Sequence, residues 1–295
     1  MIRAIAHSRA ASRATIRPNF AITALSCDKS RTATRLGNVL WAPRPLVLAV
    51  DNLTSLDAVT ERVNYTGAGL ADDDLPDSPL ELLSRWVADA QAAGAGGYES
   101  PEGLAMAFAT VDSAGCPNVR TVLVRFLDRR GPGFVTDTTS TKAQEIDGNP
   151  QVAGSMGWPT MFRVVRFRGI AEPVEPEALA AYFTERPWGS RVSALASRQS
   201  EPVGARAELD ALFEEYAARY PDTGSPDDVP VPDSWGGYRI RPWEVEFWAG
   251  RESRLHDRVV YSVAEAVGIG PAGCDDPAGW PLLDSAEWLR SRRMP

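Results

Sequence analysis

The sequence predicts an α+β fold that is mainly antiparallel β and forms a barrel with flanking helices. Short segments rich in β-branched and aromatic residues follow one another at close spacing, and turn-forming residues separate them. One segment, 161–171, alternates its side chains between two faces as a strand does. Short strands at this spacing favour a barrel over a doubly wound sheet.

The first half of the pattern begins with a helix. Asp77 or Ser78 can cap this helix, and Pro79 suits its first turn. Its apolar face consists of Leu80, Leu83, Trp86, Val87 and Ala90. The turn signals that follow indicate an antiparallel meander. Its strands are predicted at 104–111, 118–127 and 133–137.

The second half adds further strands and helices. Strands are predicted at 151–158, 161–171, 237–248 and 254–263. Helices are predicted at 176–185 and 203–219. Loops are expected in the Pro- and Asp-rich linker 221–232 and the Gly- and Pro-rich segment 268–281.

The composition indicates a globular protein. The chain has 295 residues, a length that suits one large or two small domains. Of these residues 44% are apolar and 24% charged, which are ordinary values for globular proteins. No apolar run approaches the roughly 20 residues of a membrane-spanning helix, so we expect a soluble protein without a membrane partner. The formal net charge is −8. An acidic body argues against a nucleic-acid partner, because phosphate backbones require a basic surface.

The N-terminal segment differs from the rest of the chain. Residues 1–49 contain eight arginines and lysines but one acidic residue. We expect residues 1–55 to be a disordered leader or an upstream extension from a misassigned start, and an organellar transit peptide is the alternative. Residues 56–295 are expected to form the folded domain.

Cysteine and histidine are scarce. The three cysteines form no CxxC pair, which argues against a disulfide scaffold or a zinc site and indicates a reducing compartment such as the cytoplasm. Two histidines cannot furnish a three-histidine centre, so we expect no metal. The sequence also lacks a P-loop, a strand-borne GxGxxG and a GxSxG elbow, which removes support for nucleotide hydrolysis, Rossmann binding and a serine triad.

Cations stand at both ends of one predicted strand. Arg120 and Arg125 flank an apolar stretch, where they either grip a ligand along the strand or mark a strand that runs between two exposed rims. Further on, Ser140, Thr141 and Lys142 open a short helix. Hydroxyls, backbone amides and a lysine there suit a phosphate, and an ordinary helix cap is the alternative.

A second polar group recurs every four residues. Tyr182, Arg186 and Ser190 would share one helix face, but Pro187 breaks the helix, so Ser190 can return only through a turn. Arginine is the side chain best shaped for bidentate phosphate recognition. These residues therefore indicate a phosphate clamp or, alternatively, a solvated helix end.

A third group lies near the C-terminus. In the predicted strand 254–263, Arg254, His256 and Arg258 share one face, which places two fixed cations around a titratable imidazole. Three polar groups on one face indicate a ligand site. The alternative is a surface ion network that includes Asp257.

An ordered set of motifs resembles the pyridoxamine 5'-phosphate oxidase family from about Arg62 to Pro295. Each motif alone is weak, but the ordered set is specific. The motifs are RTVLVR at 120–125, Thr136 with STK at 140–142, YFTERP at 182–187, SRQS at 197–200, WGGY at 235–238, VEFW at 245–248 and RLHDR at 254–258.

The resemblance implies an FMN-binding split β-barrel that forms a homodimer with FMN at the subunit interface. It implies oxidation of pyridoxamine or pyridoxine 5'-phosphate to pyridoxal 5'-phosphate in vitamin B6 salvage, with O₂ as acceptor and H₂O₂ as product. The FMN-binding residues that it implies are Arg120, Thr121, Val122, Leu123, Val124, Arg125, Val135, Thr136, Thr141, Lys142, Gln199, Ser200, Trp248 and Arg258. The substrate-binding residues that it implies are Arg62, Tyr65, Arg125, Tyr182, Arg186, Ser190, Arg254 and His256. Of these, Arg254 and His256 would lie by the reacting carbon and are the implied catalytic residues.

Three positions depart from the family's usual pattern. Arg125 stands where lysine is common, Val164 where a glutamine commonly contacts the flavin, and Thr141 where an arginine commonly precedes Lys142. These differences bear on FMN affinity and on the substrate. Two alternatives therefore stay open: a phenazine-biosynthesis type of flavin oxidase that acts on a dihydrophenazine carboxylate, and a non-catalytic flavin or pyridoxal-phosphate binder.

Overall fold

The computed structural model describes residues 64–93, 104–263 and 279–295. The predicted leader, Arg62 and most of the loop predicted at 268–281 lie outside these residues. No helix in the described part is long and apolar enough to cross a bilayer.

Nine strands and five α-helices make up the described part of the chain. The strands are β1 (Ala105–Val111), β2 (Pro117–Leu123), β3 (Phe126–Asp128), β4 (Gly131–Asp137), β5 (Gln151–Trp158), β6 (Arg163–Pro173), β7 (Trp235–Ala249), β8 (Asp257–Ser262) and β9 (Leu289–Arg292). The helices are α1 (Pro79–Ala92), α2 (Thr141–Gly148), α3 (Pro176–Glu185), α4 (Trp188–Ala196) and α5 (Arg206–Arg219).

The strands form one antiparallel sheet around the long strand β7. The order is β2-β1-β5-β6-β7-β4-β3, and β8 pairs with β7 while β9 pairs with β8. The first residues of β7 pair with β4 and its last residues pair with β8, whereas β6 runs along nearly its whole length. Because one strand serves three neighbours, the sheet curls into a half-barrel.

The predicted meander over residues 104–137 is wrong in its pairing. β1 pairs with β2 and β3 pairs with β4, but β4 then pairs with β7, while β1 pairs with β5. The predicted strand 118–127 is broken because Val124 turns into the core, where it is 2% exposed. The next amide, of Arg125, donates to the carbonyl of Gly133 at 2.8 Å, which starts the β3–β4 hairpin.

Helix α1 packs against the hydrophobic core as its sequence predicts. The hydroxyl of Ser78 caps the helix by accepting from the amide of Glu81 at 3.3 Å. Leu83, Trp86 and Ala90 are buried, together with Leu82. The predicted face members Leu80 and Val87 are partly buried against the same core. The Trp86 ring lies edge-on to Phe247 of β7 at 5.2 Å, which joins helix to sheet.

The structure confirms one local prediction around the candidate ligand residues and corrects another. Pro187 breaks the helix as predicted, and Ser190 returns to the cleft on α4, which begins one residue after Pro187. Arg254 does not lie in a strand, because the chain must reverse between the antiparallel strands β7 and β8. Ser253 and Arg254 have left-handed φ values of 57° and 62° in this reversal, and β8 begins only at Asp257, so the alternation of strand faces reaches neither Arg254 nor His256.

Candidate active site

One cleft collects most of the predicted ligand residues. It has a volume of about 510 Å³, and strands β2 and β4 together with helices α2, α3 and α4 surround it. The predicted residues that line it are Thr121, Val122, Leu123, Arg125, Val135, Thr136, Lys142, Tyr182, Arg186, Ser190 and Gln199. Residues far apart in sequence therefore meet where the motifs implied a ligand.

The three residues of the predicted phosphate clamp all line this cleft. Arg186 follows the last residue of α3, and Ser190 lies in the first turn of α4, so both side chains reach the same cavity as Tyr182. The Arg186 guanidinium stacks over the Trp235 ring at 4.7 Å. Its Nη1 is buried and has no hydrogen-bond partner within the described residues. A buried N–H donor of this kind requires an acceptor, which an anionic ligand supplies.

The surroundings of Arg186 shift its pKa in both directions. Burial lowers the pKa of the guanidinium, Tyr182 raises it, and the like charge of Arg125 lowers it. Two cations that face one cavity repel each other. A phosphate placed between them would compensate the desolvation cost of Arg186 and the repulsion between the two cations.

A second set of donors lies at the start of α2. The buried Lys142 ammonium donates to Thr136 Oγ1 at 3.1 Å and to Gln199 Oε1 at 2.5 Å. Burial lowers the pKa of Lys142 and the nearby Arg120 lowers it further, whereas Asp137 and Glu145 raise it. The first turn of α2 carries no acidic residue. A helix N-terminus beside an ammonium favours an anion.

Arg120 does not face this cleft, contrary to the expected grip from both ends of the strand. Its Nη2 donates to Glu145 at 2.8 Å, and its Nη1 donates to Thr110 Oγ1 at 2.5 Å. Burial raises the pKa of the Glu145 carboxyl, but hydrogen bonds from Asn118, Thr110 and Arg120 outweigh it, so the pKa is lowered. Glu145 therefore stays ionised and holds Arg120 against β1.

A separate cluster contains the predicted catalytic pair. The Arg254 guanidinium lies over the Tyr65 ring at 4.7 Å, and the His256 ring lies 5.1 Å from Tyr65 and 4.6 Å from Trp248. The Arg251 amide donates to His256 Nδ1 at 3.1 Å. Because an amide N–H can only donate, Nδ1 is the acceptor in this bond, which leaves Nε2 as the ring nitrogen that can donate. None of these four predicted residues lines the 510 Å³ cleft.

Arg258 belongs to an ion network, and it neither lines the 510 Å³ cleft nor forms part of the cluster around Tyr65. It pairs with Glu246, while Asp257 pairs with Arg251 and Arg292. The alternative of a surface ion network thus describes Arg258 and Asp257, but Arg254 and His256 stand apart from it. The other predicted residues outside the cleft are Val124, whose side chain is in the core, Thr141 and Ser200.

The sequence-based reasoning missed two carboxylates that bind its predicted arginines. Glu145 holds Arg120, and Glu246 holds Arg258. Glu145 lies one helical turn after Lys142, and Glu246 is two residues before Trp248 on the same strand face. Each spacing places the carboxylate on the same face as a predicted ligand residue, so both carboxylates could have been predicted near the site. Glu185 and Pro187 also line the cleft without having been predicted.

Comparison with known proteins identifies the family. Residues 101–220 match the family model described as pyridoxamine 5'-phosphate oxidase. Residues 235–295 match the model described as the pyridoxine 5'-phosphate oxidase C-terminal dimerisation region. The chain belongs to the pyridoxamine 5'-phosphate oxidase family. A pyridoxine/pyridoxamine 5'-phosphate oxidase of Kineococcus radiotolerans is 43% identical over 224 residues, which cover 76% of this chain and 96% of the relative.

Solved structures agree with membership of this oxidase family. PhzG from Burkholderia lata, in complex with tetrahydrophenazine-1-carboxylic acid, has a TM-score of 0.63 and 28% identity, and the match covers 78% of this chain and 99% of PhzG. A pyridoxamine 5'-phosphate oxidase-related, FMN-binding protein from Nostoc punctiforme has a TM-score of 0.51 at 18% identity, covering 71% of this chain and 97% of that protein. The predicted family, its oxidoreductase class and the split-barrel fold are confirmed, while the roles of individual residues stay predictions.

Proposed function

We propose that this chain oxidises pyridoxamine or pyridoxine 5'-phosphate to pyridoxal 5'-phosphate with bound FMN, and that O₂ accepts the electrons to give H₂O₂. The observation that carries the proposal is the buried Nη1 of Arg186, which lacks a partner within the described residues and lies in a cleft with Tyr182 and Ser190. A guanidinium, a phenol and a hydroxyl around one cavity suit the oxygens of a phosphate monoester. A substrate without an anionic group at this position would leave this donor unsatisfied.

The residues present fit FMN. Lys142, Thr136 and Gln199 form a hydrogen-bonded polar group, the Lys142 corner, which offers donors to a phosphate. The exposed Thr121 of β2 lines the same cleft. On the other half of the chain, Trp248 supplies an aromatic surface of the kind that packs on a flavin ring. We assign the FMN phosphate to the Lys142 corner, as the family resemblance implies.

We further propose that two chains complete each site. Trp248, Arg254, His256 and Arg258 all lie within the match to the dimerisation region, and none of them lines the cleft formed by residues 121–199. A symmetric homodimer brings one surface of each chain against the other, which supports a site shared between subunits. FMN would then lie at the interface.

The reaction requires alignment more than acid–base catalysis. When bound, FMN would accept the hydride from the exocyclic carbon of the substrate, and O₂ would reoxidise it to give H₂O₂. The alcohol would give the aldehyde directly when its hydroxyl proton is lost, whereas the imine formed from the amine would be hydrolysed by water with release of ammonia. Tyr182, Arg186 and Ser190 would hold the substrate phosphate and thereby fix the distance of the reacting carbon. Arg254 would orient the substrate, and the Nε2–H of His256 would donate a hydrogen bond to it.

A second candidate function is oxidation of a dihydrophenazine carboxylate. The similarity to PhzG, at a TM-score of 0.63, favours it. The volume of the cleft, about 510 Å³, is large enough for a tricyclic acid, so size does not distinguish the two substrates. The clamp of Tyr182, Arg186 and Ser190 supports the phosphorylated substrate instead.

One assay separates these functions. The purified chain is loaded with FMN and incubated in air with pyridoxamine 5'-phosphate, pyridoxine 5'-phosphate or a dihydrophenazine carboxylate, while aldehyde and peroxide are measured. We expect equal amounts of aldehyde and peroxide from a phosphorylated vitamer. Oxygen consumption with the phenazine acid alone supports the second candidate, and FMN binding without turnover of any substrate indicates a non-catalytic binder.

We also propose that residues 56–295 form the catalytic domain and that the protein acts in the cytoplasm. Both family matches lie within this range. The scattered cysteines support a reducing compartment. Mass spectrometry of the native N-terminus tests whether residues 1–55 belong to the mature protein.

A further inference from the structure

The side chain of Arg258 is held by two different groups. Its Nε and Nη2 donate to the two carboxylate oxygens of Glu246 at 2.8 and 3.0 Å. Its Nη1 donates to the carbonyl of Met294 at 3.0 Å. The C-terminal segment is itself fixed here, because the amide of Arg293 donates to the carbonyl of Arg258 at 3.0 Å. The guanidinium therefore has a defined orientation before any ligand binds.

Glu246 is suited to impose this orientation. It lies on the long strand β7 between β6 and β8, and the residue is only 3% exposed. Arg166 and Arg293 also donate to its carboxylate, so four charged side chains meet at one buried point. Burial raises the pKa of Glu246, but the hydrogen bond from Arg258 and the charge of Arg166 outweigh it and lower the pKa. The carboxylate is thus ionised at neutral pH.

A bidentate carboxylate leaves a defined part of an arginine available to a ligand. A guanidinium has five N–H donors. Three of them are committed to Glu246 and Met294, which leaves two for an acceptor beyond the described residues. Arg258 pairs in register with Trp248 across β7 and β8, so the two side chains leave the same face of the sheet from neighbouring positions.

We infer that Glu246 is the positioning residue that fixes Arg258 for FMN binding. The inference rests on the proposed function, since it takes Arg258 to contact FMN. Glu246 itself does not touch the cofactor. Its role is to remove the rotational freedom of a long side chain before binding, so that FMN affinity does not include the cost of ordering it.

Glu244 provides a matched control on the same strand face. It is 7% exposed, and its carboxylate accepts from Arg293 Nη2 at 2.7 Å. The described contacts of Arg258 do not include a hydrogen bond to it. Glu244→Gln therefore removes a buried charge of the same type without releasing Arg258.

The test measures FMN dissociation constants of the full-length chain by flavin fluorescence. We expect Glu246→Gln to weaken FMN binding about tenfold, which is near the upper end of the cost of ordering one long side chain on binding. Glu244→Gln should stay within about twofold of the wild type. In a double-mutant cycle, Glu246→Gln should have no further effect once Arg258→Ala is present, whereas a merely structural role would weaken binding equally in both backgrounds.

Glu246→Asp keeps the charge and covers the case in which the glutamine variant does not fold. Its shorter side chain cannot reach both nitrogens, so we expect weaker FMN binding with a normal melting temperature. Wild-type affinity in the aspartate variant, or equal losses in the two backgrounds of the cycle, would overturn the inference alone. A wild-type chain that fails to bind FMN would overturn the proposed function together with it.

Discussion

Replacing Arg186 with alanine is the most direct test of the phosphate clamp. The variant removes a guanidinium whose Nη1 is buried without a partner in the described part of the chain, so no internal hydrogen bond of that atom is lost. What is lost is the bond to the ligand, together with the stacking of the guanidinium on Trp235. A hydrogen bond to a charged group contributes about 1.5–3 kcal/mol. At 1.4 kcal/mol for each factor of ten, substrate affinity should fall about 10- to 150-fold.

The assay compares phosphorylated and unphosphorylated substrates. We expect Arg186→Ala to raise the KM for pyridoxamine 5'-phosphate by that factor and to leave any turnover of unphosphorylated pyridoxamine unchanged. FMN affinity should be retained, because the Lys142 ammonium that we assign to the FMN phosphate is unchanged and makes no described hydrogen bond to Arg186. Arg206→Ala removes the same charge from an exposed position on α5 and should change neither parameter. Equal KM values for the phosphorylated substrate in the wild type and in Arg186→Ala would refute the clamp.

Three further predictions concern the pH dependence of stability, the melting temperature and the rate of FMN reduction. Because the pKa of Glu145 is lowered from its ordinary 4.5, its stabilisation is fully present above that pH and is lost as the pH falls through the lowered value. Urea unfolding should therefore show Glu145→Gln about 1–3 kcal/mol less stable at pH 7 and converging with the wild type in acid. Arg191 is 5% exposed and donates to two carbonyls of the linker 221–232, so Arg191→Ala should lower the Tm by several degrees, and an unchanged Tm would contradict this. Arg254→Ala should slow anaerobic reduction of FMN about tenfold or more while FMN affinity changes little, and unchanged reduction would remove Arg254 from catalysis.

Local signals in the sequence predicted the elements well where each element depends on its own residues. The α1 cap and apolar face, the helix at 176–185 and the strand at 151–158 all appear at the expected places. Strand pairing was less accessible, because it depends on residues far apart in the chain. The break at Val124, which sends β4 to β7 instead of to β2, has no local turn signal.

The reversal before β8 shows why one site prediction failed locally but not spatially. A strand over 254–263 would place Arg254 and His256 on one face by alternation. In the structure the left-handed residues Ser253 and Arg254 end that alternation, yet both predicted side chains still contact the Tyr65 ring. The contact comes from the tertiary packing of residues near 65, which no periodicity within 254–263 encodes.

The availability of an arginine to a ligand is what the sequence alone could not resolve. Arg120, Arg186 and Arg258 look equivalent as isolated guanidiniums in motifs. A carboxylate 25 residues away holds Arg120, and another 12 residues away holds Arg258, whereas Arg186 keeps a buried nitrogen without a partner among the described residues. An arginine neutralised by a protein carboxylate is fixed in place before binding, and one without a carboxylate becomes neutralised on binding. Arg186 should therefore obtain its charge compensation from the ligand, whereas Arg258 should bind FMN without the cost of ordering its side chain.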